Sequence, residues 1–359
     1  MKPEVFEVDS IDDLTVDIHV IGYIPQGEST ILFIKNKGEI LYSIVTDCYS
    51  SSIFAKVEDI LSKNGVEDIN VFIWTHPHFD HSKGIEEFLK AKDKSKKAHV
   101  FLPKCVDSKM DGYMVAKKTK EIVAFLHDNY NTGARSRYHT IDVDLDCDTN
   151  TEYSMISIHD KNTHSSYLGT IHFLLPNSKI IDYEKAKLDP QIHPRIDINV
   201  FSIVHFFSIN RGCYLLCGDY KNCDEKNWIE QLPIDNIRFI KIPHHGSNKA
   251  NEVINTLKYM IEKRGCQDEE EGNENEGKKV LFDRENKSIS DASVTTVFTS
   301  KNLPDNGILS DYSDISKKVY CTGNQKSLKY GYVNLVYSVS NGGELIKANL
   351  EGSAYEYKK

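Results

Sequence analysis

The chain has 359 residues, 40% hydrophobic and 27% charged, an ordinary globular balance with enough apolar material for a sizeable core. No apolar run approaches the roughly 18 residues needed to span a bilayer, and the net charge of −9 is opposite in sign to that of proteins that coat nucleic acid nonspecifically. The start, MKPEVFEVDS, carries acidic residues where a signal peptide has a basic region and an apolar stretch, so a cytoplasmic location is expected.

In chain order, the segment 17–47 alternates apolar stretches with turns. Ile31-Leu32-Phe33-Ile34 and Ile40-Leu41-Tyr42-Ser43-Ile44-Val45 read as strands joined through Asn36-Lys37-Gly38, a hairpin signal. Residues 51–63 read as a helix, with Ile53, Val57, Ile60 and Leu61 at helical spacing. Val71-Phe72-Ile73-Trp74 is a short buried strand, and Ile85, Phe88 and Leu89 define the apolar face of the next helix. A further helix is expected over 115–126. The polar, Asn- and Asp-rich stretch 127–165 reads as loops and short strands. Strands return at 170–175, 200–207, 213–217 and 238–242, followed by a helix over 253–261. Residues 266–279, CQDEEEGNENEGKK, are charged and lack apolar side chains, which points to a disordered surface loop. Strands over 294–299, 318–322 and 330–338 close the chain. Composition does not break between 47 and 245, so one α/β domain over 1–359 is expected, with insertions at about 105–165 and 266–279.

Eight cysteines, Cys48, Cys105, Cys147, Cys213, Cys217, Cys223, Cys266 and Cys321, form no CxxC pair. They read as reduced thiols, because a zinc site brings closer pairs than Cys213, Cys217 and Cys223. The lysines at 90, 92, 94, 96 and 97, with Lys117, Lys118 and Lys120, read as solvated helix ends.

The chemistry concentrates in His76-Pro77-His78-Phe79-Asp80-His81, immediately after a strand. Three of the chain's 14 histidines stand in six positions beside a carboxylate, and imidazole with carboxylate is a ligand set for zinc and its transition-series neighbours. On a loop at a strand's end, His76 and His78 can address one ion while Asp80 and His81 address a second. Gly-x-Ser-x-Gly and the phosphate-cradling Gly-x-x-x-x-Gly-Lys loop are both missing from the sequence.

These residues resemble the signature of the metallo-β-lactamase superfamily. Further likenesses are Gln26-Gly27-Glu28-Ser29-Thr30, Asp47 at a strand end, Leu215-Leu216-Cys217-Gly218-Asp219, and Lys241-Ile242-Pro243-His244-His245-Gly246-Ser247. The His-His-Gly-Ser form is similar to the soluble hydrolase domain of bacterial competence DNA-uptake channels and to related stand-alone hydrolases. The resemblance implies a four-layered αββα sandwich with two divalent ions at one edge between the sheets, zinc first and manganese as the alternative. It implies His76, His78, Asp80, His81, Asp219 and His244 as metal ligands, with Asp219 bridging. Asp47, Asn199 and Ser202 are expected behind them. Asn199-x-x-Ser202 stands where many members carry a further histidine; His172, His193 and His205 are the other histidines of that stretch, and each reads first as structural. Neighbouring side chains diverge, so His244 is assigned to metal and His245 to the substrate or the transition state.

The mechanism implied is attack by a metal-activated hydroxide, with Asp80 as both ligand and proton acceptor and His245 as the second catalytic group. A phosphodiesterase acting on nucleic acid or a nucleotide is the leading expectation. The alternatives are a hydrolase of a small ester, lactone or lactam, and a weakly active metal-binding subunit of a larger assembly. Nucleic acid and a protein encoded nearby are the candidate partners.

Overall fold

Period-two alternation shapes the first sheet. In the strand β2 (Leu14–Tyr23), which follows β1 (Glu4–Val8), the side chains of Leu14, Val16, Ile18 and Val20 face one core and that of Ile21 another. The turn after β3 (Glu28–Asn36) holds Lys37 and Gly38 at φ 52° and 84° and delivers β4 (Glu39–Thr46), the hairpin that the sequence signalled. The computed structural model describes residues 2–23, 27–49, 51–104, 117–131, 136–143, 151–177, 179, 198–222, 227–271, 294–299, 306–323 and 330–358.

Crossovers then convert the meander into parallel strands. α1 (Ser51–Lys63) leads to β5 (Val71–Ile73); α2 (Phe79–Ser82) and α3 (Ile85–Lys92) lead to β6 (His99–Pro103); α4 (Lys117–Tyr130) leads to β7 (Tyr138–Ile141). The second half repeats the scheme. β8 (Thr151–Asp160), β9 (Ser166–Leu175), β10 (Val204–Ile209) and β11 (Gly212–Leu216) are antiparallel. Beyond α5 (Asn227–Glu230), the strands β12 (Ile237–Lys241), β13 (Thr295–Phe298) and β14 (Lys318–Cys321) run parallel, with α6 (Asn251–Glu271) and α7 (Asn306–Ile315) between them. β15 (Tyr330–Ser338) returns to pair with β2, β16 (Glu344–Gly352) edges it, and β17 (Tyr355–Tyr357) joins β14 in the other sheet.

The outcome is an eight-stranded sheet ordered β16-β15-β2-β3-β4-β5-β6-β7 and a nine-stranded sheet ordered β1-β8-β9-β10-β11-β12-β13-β14-β17. One core lies between them, with Val16, Ile18 and Leu32 from one sheet and Ile171, Phe207 and Leu216 from the other. The other core includes Ile53 and Val57 of α1 and Val253 and Leu257 of α6, packed on the outer faces. This is the four-layered αββα sandwich of the α/β class that the sequence led us to expect. Among the described residues no helix is long and apolar enough to cross a membrane.

Three local readings change. Residues 127–165 contain the end of α4, β7 and the ten-residue β8, which pairs with both β1 and β9; polar residues on its solvent side masked that strand. The strand expected from residue 200 starts at Val204, because Ile198–Phe201 closes a 3-10 turn in which the Ser202 amide donates to the Asn199 carbonyl. The loop expected from residue 266 is helical as far as Glu271, and its remainder, 272–279, lies outside the described residues.

At one seam the sheets meet backbone to backbone. A Cβ on Gly331 of β15 would land on the carbonyl oxygen of Thr322, the residue after β14. Gly331→Ala is therefore expected to cost about 1–3 kcal/mol or more through overpacking that no side-chain rotation relieves. The shift of the urea midpoint at constant slope measures it.

Candidate metal centre

The parallel strands of both sheets end at the same edge, and their loops carry the polar residues. Asp47 follows β4 with φ 56°, and its amide donates to the Ile73 carbonyl at 2.9 Å, which ties it to the end of β5. Its Oδ1 accepts from the Thr75 amide at 2.7 Å. Its Oδ2 accepts from Thr75 Oγ1 at 2.6 Å and from His81 Nδ1 at 2.7 Å. Trp74 Nε1 donates to Ser82 Oγ at 3.1 Å, and that hydroxyl donates to the His78 carbonyl, so the whole motif is a closed loop. Gly84 admits it: a Cβ there would stand 2.7 Å from the Tyr49 carbonyl.

Tautomers follow from the acceptors behind each ring. The Thr75 hydroxyl gives its one proton to Asp47, so it accepts from His76 Nδ1 at 3.0 Å. His81 Nδ1 donates to the Asp47 carboxylate, and His245 Nδ1 donates to the Thr299 carbonyl at 2.9 Å. Each ring thus commits Nδ1 backwards and presents Nε2 forwards, the way a metal-ligating histidine is oriented. His81 Nε2 faces Asp219 Oδ1 at 3.5 Å. His245 Nε2 faces Asp219 Oδ2 at 3.3 Å and Asp80 Oδ2 at 3.8 Å, and His76 Nε2 stands 4.0 Å from Asp219 Oδ2. His78 Nδ1 lies 3.1 Å from His76 Nε2.

Asp80, His81, Asp219 and His245 each offer a ligand atom within 4.8 Å of the others. His81 Nε2, Asp219 Oδ1 and His245 Nε2 are buried and lack a hydrogen-bond partner among the described residues. Buried donor atoms of this kind, converging without bonding one another, fit a divalent cation. A second convergence, Glu28 with Asp47 and His81, does not fit one. Glu28 is already ion-paired to Lys241 and accepts from Thr299 Oγ1, and Asp47 is consumed by Thr75 and His81.

The adjacent histidines are placed opposite to the assignment made from sequence. His245, expected at the substrate, is the one in the carboxylate cluster; His244, expected as a ligand, has its Nε2 3.2 Å from Asn199 Nδ2. Both residues adopt left-handed backbone, φ 46° and 54°, so the chain turns between them and sends the second ring, not the first, to the cluster. Asn199 and Ser202 are buried nearby, and a Cβ on Gly218 would stand 3.4 Å from that of Ser202. His205 lines a small cavity between the sheets with Thr30, Thr46 and Leu216, where burial pushes its pKa down to about 3. His172 bonds Glu152 at 3.0 Å and Ser208 at 2.9 Å, and His193 lies outside the described residues.

Sequence reasoning missed the support behind His245. Glu28 opens β3, Lys241 ends β12, and their side chains are 5% and 2% exposed. Glu28 Oε2 stands 3.3 Å from His245 Nδ1, and Lys241 Nζ also donates to the Gly218 carbonyl at 3.2 Å. A charged residue at the buried end of each strand was the available signal.

The carboxylates set the protonation. Burial opposes charge on His81, but Asp219 and Asp47 raise its pKa well above the ordinary value. Burial likewise opposes charge on His245, and Asp219 raises it. Asp219 is held well below the usual carboxylate range, against burial, by His245 and His81. His76 is pushed down by burial and by His81, so it is neutral. Burial would raise Glu28, yet Lys241 and His245 hold it at about 2.

No family model and no curated protein matches the chain. Solved structures similar to it include the metallo-β-lactamase fold protein YhfI from Bacillus subtilis, 14% identical over 63% of this chain and 70% of that one, TM-score 0.32. A metallo-β-lactamase from Hirschia baltica is 15% identical over 72% and 98%, TM-score 0.32. A diphosphatase of the PhnP family is 11% identical over 68% and 82%, TM-score 0.34. The architecture rests on the chain's own strand order rather than on these likenesses.

Two outcomes follow from the charge balance. Lys241→Met strands the Glu28 carboxylate in the interior and is expected to destabilise the fold by about 3–5 kcal/mol. Because the folded pKa of Glu28 lies below its ordinary 4.5, its stabilisation is present above that value and is lost as pH falls towards 2. The loss in Lys241→Met should therefore shrink in acid, read by urea denaturation between pH 7 and pH 3. Separately, Zn2+ added to metal-free protein at pH 7 in weak buffer should release about two protons, from His81 and His245, and bind more weakly as pH falls. Uptake without proton release would contradict this protonation pattern.

Proposed function

We propose that the chain is a metal-dependent hydrolase of the metallo-β-lactamase type, acting on phosphodiesters of nucleic acid or nucleotides. One observation carries the reading: His76, His81 and His245 each bind an acceptor through Nδ1, and their Nε2 atoms converge on Asp219. A divalent cation bound there lowers the pKa of water and polarises the ester. His245 joins the ligand set in place of His244. His76, His78, His81, Asp80 and Asp219 keep the ligand roles first assigned to them. To Asp80, whose carboxylate is partly open to solvent, we assign the acceptance of a proton from the attacking water. His244, steadied by Asn199, is left to meet the substrate. Asp47 and Thr75 hold the rings of His76 and His81 in place and stay out of the chemistry.

The phosphodiester choice is supported by the His-His-Gly-Ser segment, and zinc by the predominance of imidazole donors. Metal content and rate on bis-nitrophenyl phosphate, a carboxylic ester and a lactam test this reading in the wild type, His244→Ala and His245→Ala. The expected result is phosphodiester turnover by the wild type, metal loss with activity loss in His245→Ala, and retained metal with a lower rate in His244→Ala. Turnover confined to the carboxylic ester or lactam would replace the substrate, and bound metal without any turnover would make the chain a binding subunit.

A further inference from the structure

Phe79 stands between two residues of the metal centre, His78 and Asp80, and its side chain faces water. It opens α2 and is 56% exposed, whereas the nearby large side chains of Trp74, after β5, and Tyr49, after β4, are buried. Nothing in the packing of the loop requires an aromatic ring there.

The ring is nonetheless held. Tyr49 meets it edge-on with centroids 5.6 Å apart. Tyr49 is itself fixed by Gly27, where any Cβ would collide with its ring. Lys83, one helical turn on, places Nζ 5.2 Å from the centre of the Phe79 ring, and among the described residues its ammonium meets no carboxylate. An exposed aromatic that is braced in this way has lost little conformational freedom to a ligand that stacks on it. Phe79 is the chain neighbour of both His78 and Asp80, so the ring projects from the same turn of chain that carries those cluster residues.

From this juxtaposition we infer that Phe79 is a stacking platform for a nucleobase, and that Lys83 meets the phosphate chain of the same ligand. The ligand class follows from the pair. A planar ring satisfies the exposed face of Phe79, and an anionic group satisfies Lys83. Both must be carried by one molecule whose phosphate reaches the Asp80–Asp219 cluster. An uncharged acyl chain or lactam would occupy the ring and leave the ammonium without a counter-charge. Stacking of a base on an aromatic side chain is sequence-tolerant, since every base has a π-face. The platform therefore recognises nucleotides as a class and does not select one base. This inference rests on the hydrolase reading above and adds the part of the substrate that does not react.

The test is equilibrium binding to Zn2+-loaded protein by calorimetry, comparing adenosine 5′-monophosphate with ribose 5-phosphate, which lacks the base. The wild type should bind the nucleotide about 5- to 100-fold more tightly. Phe79→Ala should bring the two affinities together, with its melting temperature unchanged, and Phe79→Trp should restore the gap. Equal affinities in the wild type, a gap that survives Phe79→Ala, or no binding of either ligand would overturn the platform. A wild type that hydrolyses phosphodiesters but shows no preference for the base would remove the platform and leave the hydrolase. Loss of phosphodiester turnover altogether would remove both.

Discussion

Four carboxylates, Glu28, Asp47, Asp80 and Asp219, gather at one edge of the sandwich, three of them buried, and the organisation of that edge is a response to their charge. Two unit charges 4 Å apart interact by about 4 kcal/mol at an effective dielectric of 20, so neighbours of like sign cannot go uncompensated. Lys241 answers Glu28, the Thr75 amide and hydroxyl answer Asp47, and the imidazoles of His81 and His245 answer Asp219. Only the last of these compensations is exchangeable, because protons on imidazole can give way to a cation while Lys241 and Thr75 are fixed. The division between a permanent and a replaceable counter-charge separates the scaffold from the site.

The same division explains what the sequence disclosed. The histidine motif, Asp219 and the strand ends that carry them are legible because period-two runs stop where polar residues begin. The architecture was legible too, since runs of apolar strands are followed by strands that alternate with amphipathic helices in both halves of the chain. The choice between His244 and His245 was not legible. It depends on two consecutive left-handed residues, and no pattern of apolar side chains encodes a dihedral angle. The pairing of Glu28 with Lys241, both within segments that the sequence singled out, was not legible for a related reason: they lie far apart in the chain, and their meaning appears only when β3 and β12 are brought together. The length of β8 was hidden by the serines and histidine on its outer face.

Three left-handed residues lie where the chemistry is proposed. Among the described non-glycine residues with positive φ, Asp47, His244 and His245 all belong to this edge. Each such residue costs on the order of 1–3 kcal/mol and persists because its surroundings over-determine it. Here the surroundings are identifiable: Ile73 holds the Asp47 amide, and the His244 amide donates to the Gly218 carbonyl at 3.2 Å. The fold supports these conformations with its two large cores and places them together at the ends of its parallel strands.

The pairing of β2 with β15 bears on how the molecule comes into being. Val20 lies opposite Val333, so the eight-stranded sheet joins segments more than three hundred residues apart. On the ribosome, at about 5–20 residues per second, β2 waits roughly 15 to 60 seconds for its partner with one edge open. The last of the proposed ligands, by contrast, has been synthesised once residue 245 has emerged. The nascent chain therefore passes through an interval in which the ligands exist but their sheet is unfinished, with β2 an exposed template for mispairing. A chaperone that shields that edge, or a cation captured early by the loops, would act in this interval on the yield of folded protein.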